Sequence, residues 1–287
     1  MLAIPQRLFE HPQVQILLRD TSCCILHKQL DAPLLKRTGY VSKHVLGMVL
    51  AGTQHLQTYE GERITIQAGQ GILLPSSMYV ISDLLPQQGN FESILFYFDN
   101  ALIHEFIQER ATVNTWKAVE IRQWRFDSTF RLQEWIKQLQ QFYTTNTAHP
   151  ALARLKIKEY WHWLCEELSE KQLLEQLFAL TLPKKRQLGE FMEANFDKPL
   201  KVEDYAQLTG RSLSSFRRDC QQLLGESPQK WLRAKRLTKA KSLLLEEQPS
   251  VTALAHATGY DNVSYFIRAF KAQYGLSPKQ YLLQHLQ

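Results

Sequence analysis

Apolar positions change their spacing along this chain. From about residue 45 to 98 they come in short runs, and after that they recur at helical intervals. Residues 47–50, 55–59, 63–66, 72–74, 79–81 and 91–98 read as strands, with turns at Glu60-Gly61 and Ala68-Gly69-Gln70-Gly71. Upstream, residues 14–19 and 23–27 give two more short strands, and Pro5, Pro12 and Pro33 interrupt the first 35 residues. Many short strands with glycine turns predict a small antiparallel barrel or sandwich. Residues 102–110, 130–143 and 152–168 read as helices. The second of these places Leu132, Trp135, Ile136, Leu139 and Tyr143 at helical spacing, and the third Leu152, Leu155, Tyr160, Trp163 and Leu164. Leu173, Leu174, Leu177 and Phe178 continue the helical pattern.

The last hundred residues contain one unit twice. Ala206-x3-Gly210, Phe216, Arg218, Gly225, Pro228 and Trp231 recur as Ala255-x3-Gly259, Phe266, Arg268, Gly275, Pro278 and Tyr281. A fixed-period repeat defines a supersecondary unit. In each copy a short apolar-periodic helix ends at glycine, and Ser212, or Asp261 or Asn262, can cap the next helix. Helix, glycine turn and capped helix make a helix-turn-helix. The second helix of each unit has two faces. Phe216, Cys220 and Leu223 form a stripe for burial, as do Phe266, Phe270 and Tyr274. Opposite them stand Ser214, Arg217, Arg218 and Gln221, and in the second copy Ser264, Ile267, Arg268 and Lys271. Val263 joins the second set because it begins the helix, where residues meet bases first. Arginine pairs with guanine edges, glutamine with adenine, and isoleucine can touch a thymine methyl. A pair of arginines on one helix is ordinarily a solvated face. Two matched units with polar outer faces point instead to nucleic acid. Arg218 and Arg268 suit phosphate as well as bases.

These motifs resemble the DNA-binding domain of the AraC/XylS family of bacterial transcription regulators. The resemblance rests on Ala206-x3-Gly210, Ser212-x3-Phe216-x-Arg218, Gly225-x2-Pro228 and Leu254-Ala255-x3-Gly259-Tyr260. It continues through Tyr265-Phe266-x2-Ala269-Phe270-Lys271 and Tyr274-Gly275-x-Ser277-Pro278-x2-Tyr281. It implies two helix-turn-helix units joined by a helix, each reading one major-groove segment of double-stranded promoter DNA. Cys220 stands where the family commonly has phenylalanine. The stretch 53–75, with its Gly61 turn, Ala68-Gly69-x-Gly71 and Leu73-Leu74-Pro75, resembles the family's cupin-like arm. That arm commonly holds an effector or mediates protein contacts.

Charge sharpens the picture. The segment 183–287 holds 17 Lys/Arg against 10 Asp/Glu, and 1–182 holds 17 against 18, so the net +6 sits wholly on the repeated part. A polyanion partner requires that placement. Cys23, Cys24, Cys165 and Cys220 show neither metal-ligand spacing nor a disulfide framework, so no cofactor is expected and a reducing cytoplasm is. No signal peptide or run of 18 apolar residues occurs, so no membrane partner is expected. His44 and His55 are isolated, unlike the paired histidines of a metal cupin. No phosphate loop or nucleophile elbow is present, and the cysteine–zinc cluster of a DNA-repair methyl transferase is absent. The chain is read as no enzyme.

The expected fold is α+β, with a cupin-like β-barrel and helices in 1–182 and two helix-turn-helix units in 183–287. The barrel takes about 1–100 and its helices about 101–182. Pro183-Lys184-Lys185-Arg186 reads as a basic linker, and residues 187–196 as the first helix of the second domain. A helix over 229–245 joins the two units, with Ala234, Leu237, Ala240 and Leu244 buried and Arg233, Lys235, Arg236, Lys239 and Lys241 around them. At about 1.5 Å per residue it spans about 25 Å, against about 34 Å between successive grooves. The expected function is a sequence-specific transcription regulator, an activator by family tendency. A small-molecule effector controls it, it self-associates as a homodimer through the helices after the barrel, and RNA polymerase is a further partner. Control by a regulatory protein with no ligand, and a cupin-type enzyme fused to a DNA-binding module, are the alternatives.

Overall fold

The computed structural model describes residues 2–110, 124–143, 150–182 and 184–285. Two compact units divide the chain, Met1–Leu182 and Pro183–Gln287.

The first unit holds two sheets. One runs in the order β1 (Leu2–Ile4), β4 (Leu34–Val41), β9 (Ser77–Leu84), β6 (Thr53–Thr58), β7 (Arg63–Gln67). The other runs β11 (Trp124–Asp127), β8 (Gln70–Leu74), β5 (His44–Ala51), β10 (Phe91–Phe98), β3 (Cys24–Leu30), β2 (Val14–Arg19). All pairings are antiparallel except β1 with β4. The barrel expected from the sequence is therefore open. Each sheet keeps its own edge strands, and three of the four, β1, β7 and β11, have at most five residues, too short to carry the ladder around.

Strand periodicity explains the layering. Successive side chains of β10 point to opposite faces. Phe91, Leu95 and Tyr97 enter the core between the sheets, with Leu26, Val45, Leu56, Ile66 and Tyr79. Ile94, Phe96 and Phe98 enter a second core on the other side, against helices. A strand covered on both faces reads as a continuous apolar run, as residues 94–98 do. β7 shows the opposite case: Ile64 and Ile66 are buried and Arg63, Thr65 and Gln67 are exposed.

The helical layer comprises α1 (Asn100–Arg110), α2 (Phe130–Phe142), α3 (Pro150–Leu164) and α4 (Glu170–Thr181), with a π-helical turn at Cys165–Ser169 between the last two. The buried side of α3 is Ala153, Ile157, Tyr160, Trp161 and Leu164. Two residues expected on that stripe lie outside it: Leu155 is 56% exposed and Trp163 37%. Their spacing of eight keeps them together on the far side of a 3.6-residue helix. Tyr160 stacks on Phe96 with centroids 4.9 Å apart, and Phe98 meets the Trp161 ring edge-on at 4.8 Å.

Between the sheets the packing leaves a cavity of about 340 Å³, walled by side chains such as Leu30, Leu56, Leu74 and Leu95. A buried ion pair lies against it: Lys28 Nζ is 2.6 Å from Asp83 Oδ2, and Gln54 Nε2 donates to Asp83 Oδ1 at 2.7 Å.

The second unit is all helix: α5 (Leu188–Asn195), α6 (Val202–Leu208), α7 (Leu213–Leu224), α8 (Pro228–Glu246), α9 (Val251–Ala257), α10 (Val263–Tyr274) and α11 (Pro278–His285). α8 buries Trp231, Leu232, Leu237, Ala240 and Leu244, while Ala234, expected inside, is exposed. Its arc is centred on Leu237, Ala240 and Leu244, and Ala234 falls beyond the edge of it. These three pack on Leu254, Phe266, Phe270 and Tyr281. The Phe270 ring lies 5.9 Å from Phe266, 4.7 Å from Tyr274 and 5.7 Å from Tyr281.

Phe266 is fully buried in this cluster. Replacing it by alanine removes a large ring from a site that cannot collapse around the void. Phe266→Ala is expected to cost about 3–5 kcal/mol, read by urea denaturation of the full chain. An unchanged midpoint would contradict that packing.

Candidate nucleic-acid interface

Each repeat is built the same way from its backbone outward. The first helix, α6 or α9, stops at a threonine whose buried hydroxyl turns back on its own helix. Thr209 Oγ1 donates to the Tyr205 carbonyl at 2.8 Å, and Thr258 Oγ1 to the Leu254 carbonyl at 2.8 Å. A glycine with left-handed backbone follows, Gly210 at φ 67° and Gly259 at φ 82°. Conformation is only half of the requirement at Gly259: a β-carbon there would sit 2.8 Å from the Asp197 carbonyl oxygen. The next helix is then capped. Ser212 Oγ accepts from the Ser215 amide at 3.2 Å, and Asn262 Oδ1 from the Tyr265 amide at 2.8 Å. Of the two candidates for the second cap, Asn262 is the one used. The threonine pair, at the same offset of 49 as the glycines, is a further signal of the repeat in the sequence.

The helices so launched are α7 and α10. Ser214, Arg217, Arg218 and Gln221 are exposed on α7, and Ser264, Arg268 and Lys271 on α10. Val263 and Ile267 are half-buried and pack partly on the core of their own unit, so each offers only an edge outward. Inward, Phe216 and Cys220 are fully buried, and burial pushes the Cys220 thiol up to about 11. Leu223, expected with them, is 66% exposed. It lies in the last turn of α7, just before the chain turns at Gly225. Tyr265, 51% exposed beside Ser264, is a further aromatic on the outer side of α10.

The exposed groups differ in how far they are committed. Arg217, Arg268, Lys271 and Arg233 make no ion pair among the described residues. Arg218 Nε lies 3.8 Å from Asp219, whose other oxygen takes Arg211 at 2.9 Å. Gln221 Nε2 donates to the Gly225 carbonyl at 3.0 Å and must release it to reach a base. Ser214 and Ser212 hydroxyls are 3.1 Å apart.

Several basic residues brace the fold instead of decorating it. The Arg236 guanidinium donates to the carbonyls of Phe196 and Lys198, both at 2.6 Å, and of Leu200 at 3.3 Å. Lys239 pairs with Asp197 at 2.6 Å, and Lys235 with Glu193 at 2.6 Å. Arg211 also donates to the Arg186 and Thr209 carbonyls, at 3.0 and 2.8 Å. In the basic stretch before α5, Pro183 lies outside the described residues. Arg186 donates to the Leu208 carbonyl at the end of α6, so this stretch docks on the first helix-turn-helix.

In the other unit, the isolated histidines are structural. His44 is buried, with Nδ1 accepting from the Ser76 amide at 3.2 Å and Nε2 2.8 Å from Asn100 Oδ1; burial lowers its pKa. His55 is exposed and bonds Thr65 at 2.9 Å. All four cysteines are free and buried. No helix among the described residues is long and apolar enough to cross a membrane.

Residues 205–284, which span both repeats, match the family described as a helix-turn-helix domain, and residues 44–176 match the ExsA N-terminal regulatory domain. The chain belongs to the AraC/XylS family of transcription regulators. Among its relatives is the virulence regulon transcriptional activator VirF of Yersinia enterocolitica, 26% identical over 196 residues, or 68% of this chain and 70% of VirF. The HTH-type transcriptional regulator ExsA of Pseudomonas aeruginosa is 28% identical over 131 residues, 46% of this chain and 47% of ExsA. Of solved structures, an apo ToxT from Vibrio cholerae aligns over 92% of this chain and 98% of its own, with 12% identity and a TM-score of 0.46. This AraC/XylS chain is thus a DNA-binding transcription regulator and not an enzyme.

The two left-handed glycines at comparable φ separate strain from contact. Gly275, at φ 80°, has open space where a β-carbon would go, whereas Gly259 has the Asp197 carbonyl. Gly275→Ala is expected to cost about 1 kcal/mol from conformation alone. Gly259→Ala should cost clearly more and weaken DNA binding as well, since α10 must move. Equal thermal shifts for the two variants would show that the close approach does not matter.

Proposed function

We propose that this regulator is an activator that reads two successive major-groove segments of a promoter, one with α7 and one with α10. The observation that carries the reading is the repeat itself: two helices with matching glycine turns, side-chain caps and exposed arginines at the two ends of α8. With 19 residues, α8 spans about 28 Å. Each reading helix extends beyond its end, which suits grooves about 34 Å apart. Ser214, Arg217, Arg218 and Gln221, then Val263, Ser264, Ile267, Arg268 and Lys271, form the DNA-facing set. The name of VirF, an activator, supports activation, and with it contact with RNA polymerase in the cytoplasm.

The N-terminal unit, residues 1–182, is the regulatory and self-association domain, and 183–287 the DNA-binding domain. Its cavity supports control by a small molecule, because a ligand site is concave, mostly apolar and furnished with a few polar groups. Phe130 and Phe142 on α2 and Leu155 on α3 are exposed, which supports self-association into a homodimer through the helical layer.

Arg217 and Arg268 test the reading because neither is tied to another side chain. Arg217→Ala combined with Arg268→Ala is expected to weaken specific promoter binding by about 1–3 kcal/mol per arginine, with the fold unchanged by circular dichroism. Loss of discrimination between promoter and unrelated DNA marks base contacts, and a uniform loss with a shallower salt dependence marks phosphate contacts. Unchanged affinity removes both helix faces from the interface.

A further inference from the structure

The inter-sheet cavity carries an inference about ligand chemistry, resting on the reading that the N-terminal unit receives a small-molecule signal. Its walls are chiefly aliphatic, from Leu30, Val41, Leu56, Ile72, Leu74 and Leu95. Its volume of about 340 Å³ is in the range of small-ligand sites. What distinguishes it is the state of its polar groups. Lys28 and Asp83 both line it, and they neutralise each other at 2.6 Å. Asp83 is fully buried; Gln54 occupies its second oxygen at 2.7 Å, and the Lys28 ammonium also lies 5.1 Å from the Phe91 ring centroid. No buried charge is left over for a ligand of opposite sign.

Among the buried polar groups of the lining, one is left over. Tyr97 lines the cavity from β10 and is 3% exposed, and its hydroxyl makes no hydrogen bond among the described residues. Burial with the neighbouring Cys24 and Asp83 holds this phenol well above its usual pKa, so it is a neutral O–H able to donate or accept. The hydroxyl opens onto the cavity, where a ligand oxygen can become its hydrogen-bond partner.

We infer that the cavity binds a neutral, largely apolar small molecule that sets one hydroxyl or carbonyl oxygen against the Tyr97 hydroxyl, and that the closed Lys28–Asp83–Gln54 network keeps carboxylates out. A carboxylate inside would lose its hydration, meet an ammonium already neutralised, and face the charge of Asp83. The remaining charged groups of the lining, Arg7, Arg37 and Glu10, are exposed to water. An anion recognised by the two arginines would bind at the solvent-exposed margin and leave the interior empty.

The experiment uses the full chain and two probes on one ring scaffold, 2-naphthol and 2-naphthoate, titrated by calorimetry. 2-Naphthol is expected to bind and 2-naphthoate to bind about a hundredfold more weakly or not at all. Tyr97→Phe keeps the ring and removes a hydroxyl that bonds nothing in the protein, so its melting temperature without probe should match that of the parent. It should bind 2-naphthol about three- to tenfold more weakly. If 2-naphthoate binds as well as 2-naphthol, the neutral-ligand inference falls and small-molecule control stands, with recognition moved to Arg7 and Arg37. If 2-naphthol binds and Tyr97→Phe does not change it, the assignment of the hydroxyl falls. If neither probe binds, the cavity is no ligand site, and control by a protein partner replaces the reading on which the inference rests.

Discussion

The C-terminal unit depends on a backbone contact that leaves no room for a side chain. At Gly259 the chain passes so close to the Asp197 carbonyl that a β-carbon would collide with it. The loop it meets, Phe196–Leu200, is held by Arg236, which satisfies three of its carbonyls, and by Lys239, which pairs with Asp197. Both cations stand on α8. The joining helix thus fixes the loop, the loop fixes the turn, and the turn with the Asn262 cap fixes the direction of α10. At Gly210 the contact is with the Lys184 backbone, and Arg186 and Arg211 hold that segment. In both helix-turn-helix repeats, orientation is set by glycine, carbonyls and half-buried cations behind α7 or α10. The outer faces of α7 and α10 are left to differ, as Arg217-Arg218 and Ile267-Arg268 do.

This division changes how the charge of the domain is understood. The excess of Lys/Arg in 183–287 is what a polyanion partner requires, but much of it faces inward or into ion pairs. Arg186, Arg211, Arg236, Lys235 and Lys239 spend their hydrogen bonds on carbonyls and carboxylates of their own unit. Long-range attraction still counts every charge, because potentials add. Short-range contact can use only uncommitted groups, and among these are Arg217, Arg268 and Lys271 on the outer faces of α7 and α10 and Arg233 on α8. The overall charge supplies the long-range attraction, and the uncommitted side chains are the ones free to make contacts.

The repeat was legible in the sequence because its signals are local and doubled: positive-φ glycines, side-chain caps and stripes at a period of 3.6 residues. What escaped was decided by distant parts of the chain. Leu34–Val41 forms β4 although Lys36, Arg37 and Thr38 break any alternation, because β9 pairs with it across a register shift. Trp124–Asp127 becomes a strand only through β8. Leu155 and Trp163 are as apolar as Ile157 and Trp161, and only the docking of α3 on Phe96 and Phe98 separates the pairs. The open sandwich in place of a closed barrel has the same origin, since edge pairing is a property of whole sheets. Arg236 is one cation among six on α8, and nothing local marks it as the one that holds the loop.

In the N-terminal unit, β10 joins the two cores. β10 lies mid-sheet, paired with β3 and β5, and its two faces belong to different cores. Leu95 and Tyr97 face the cavity, while Phe96 and Phe98, their neighbours in sequence, pack on Tyr160 and Trp161 of α3. Close-packed interiors respond to small changes in volume because they lack slack. Packing around Leu95 and Tyr97 therefore bears on the same stretch of backbone that carries the stacked and edge-on ring contacts to α3. Leu155 and Trp163 lie on the outward side of that same helix. A shift of α3 would change the surface that Leu155 and Trp163 present, so the packing between the sheets and the outer face of the helical layer meet at one strand.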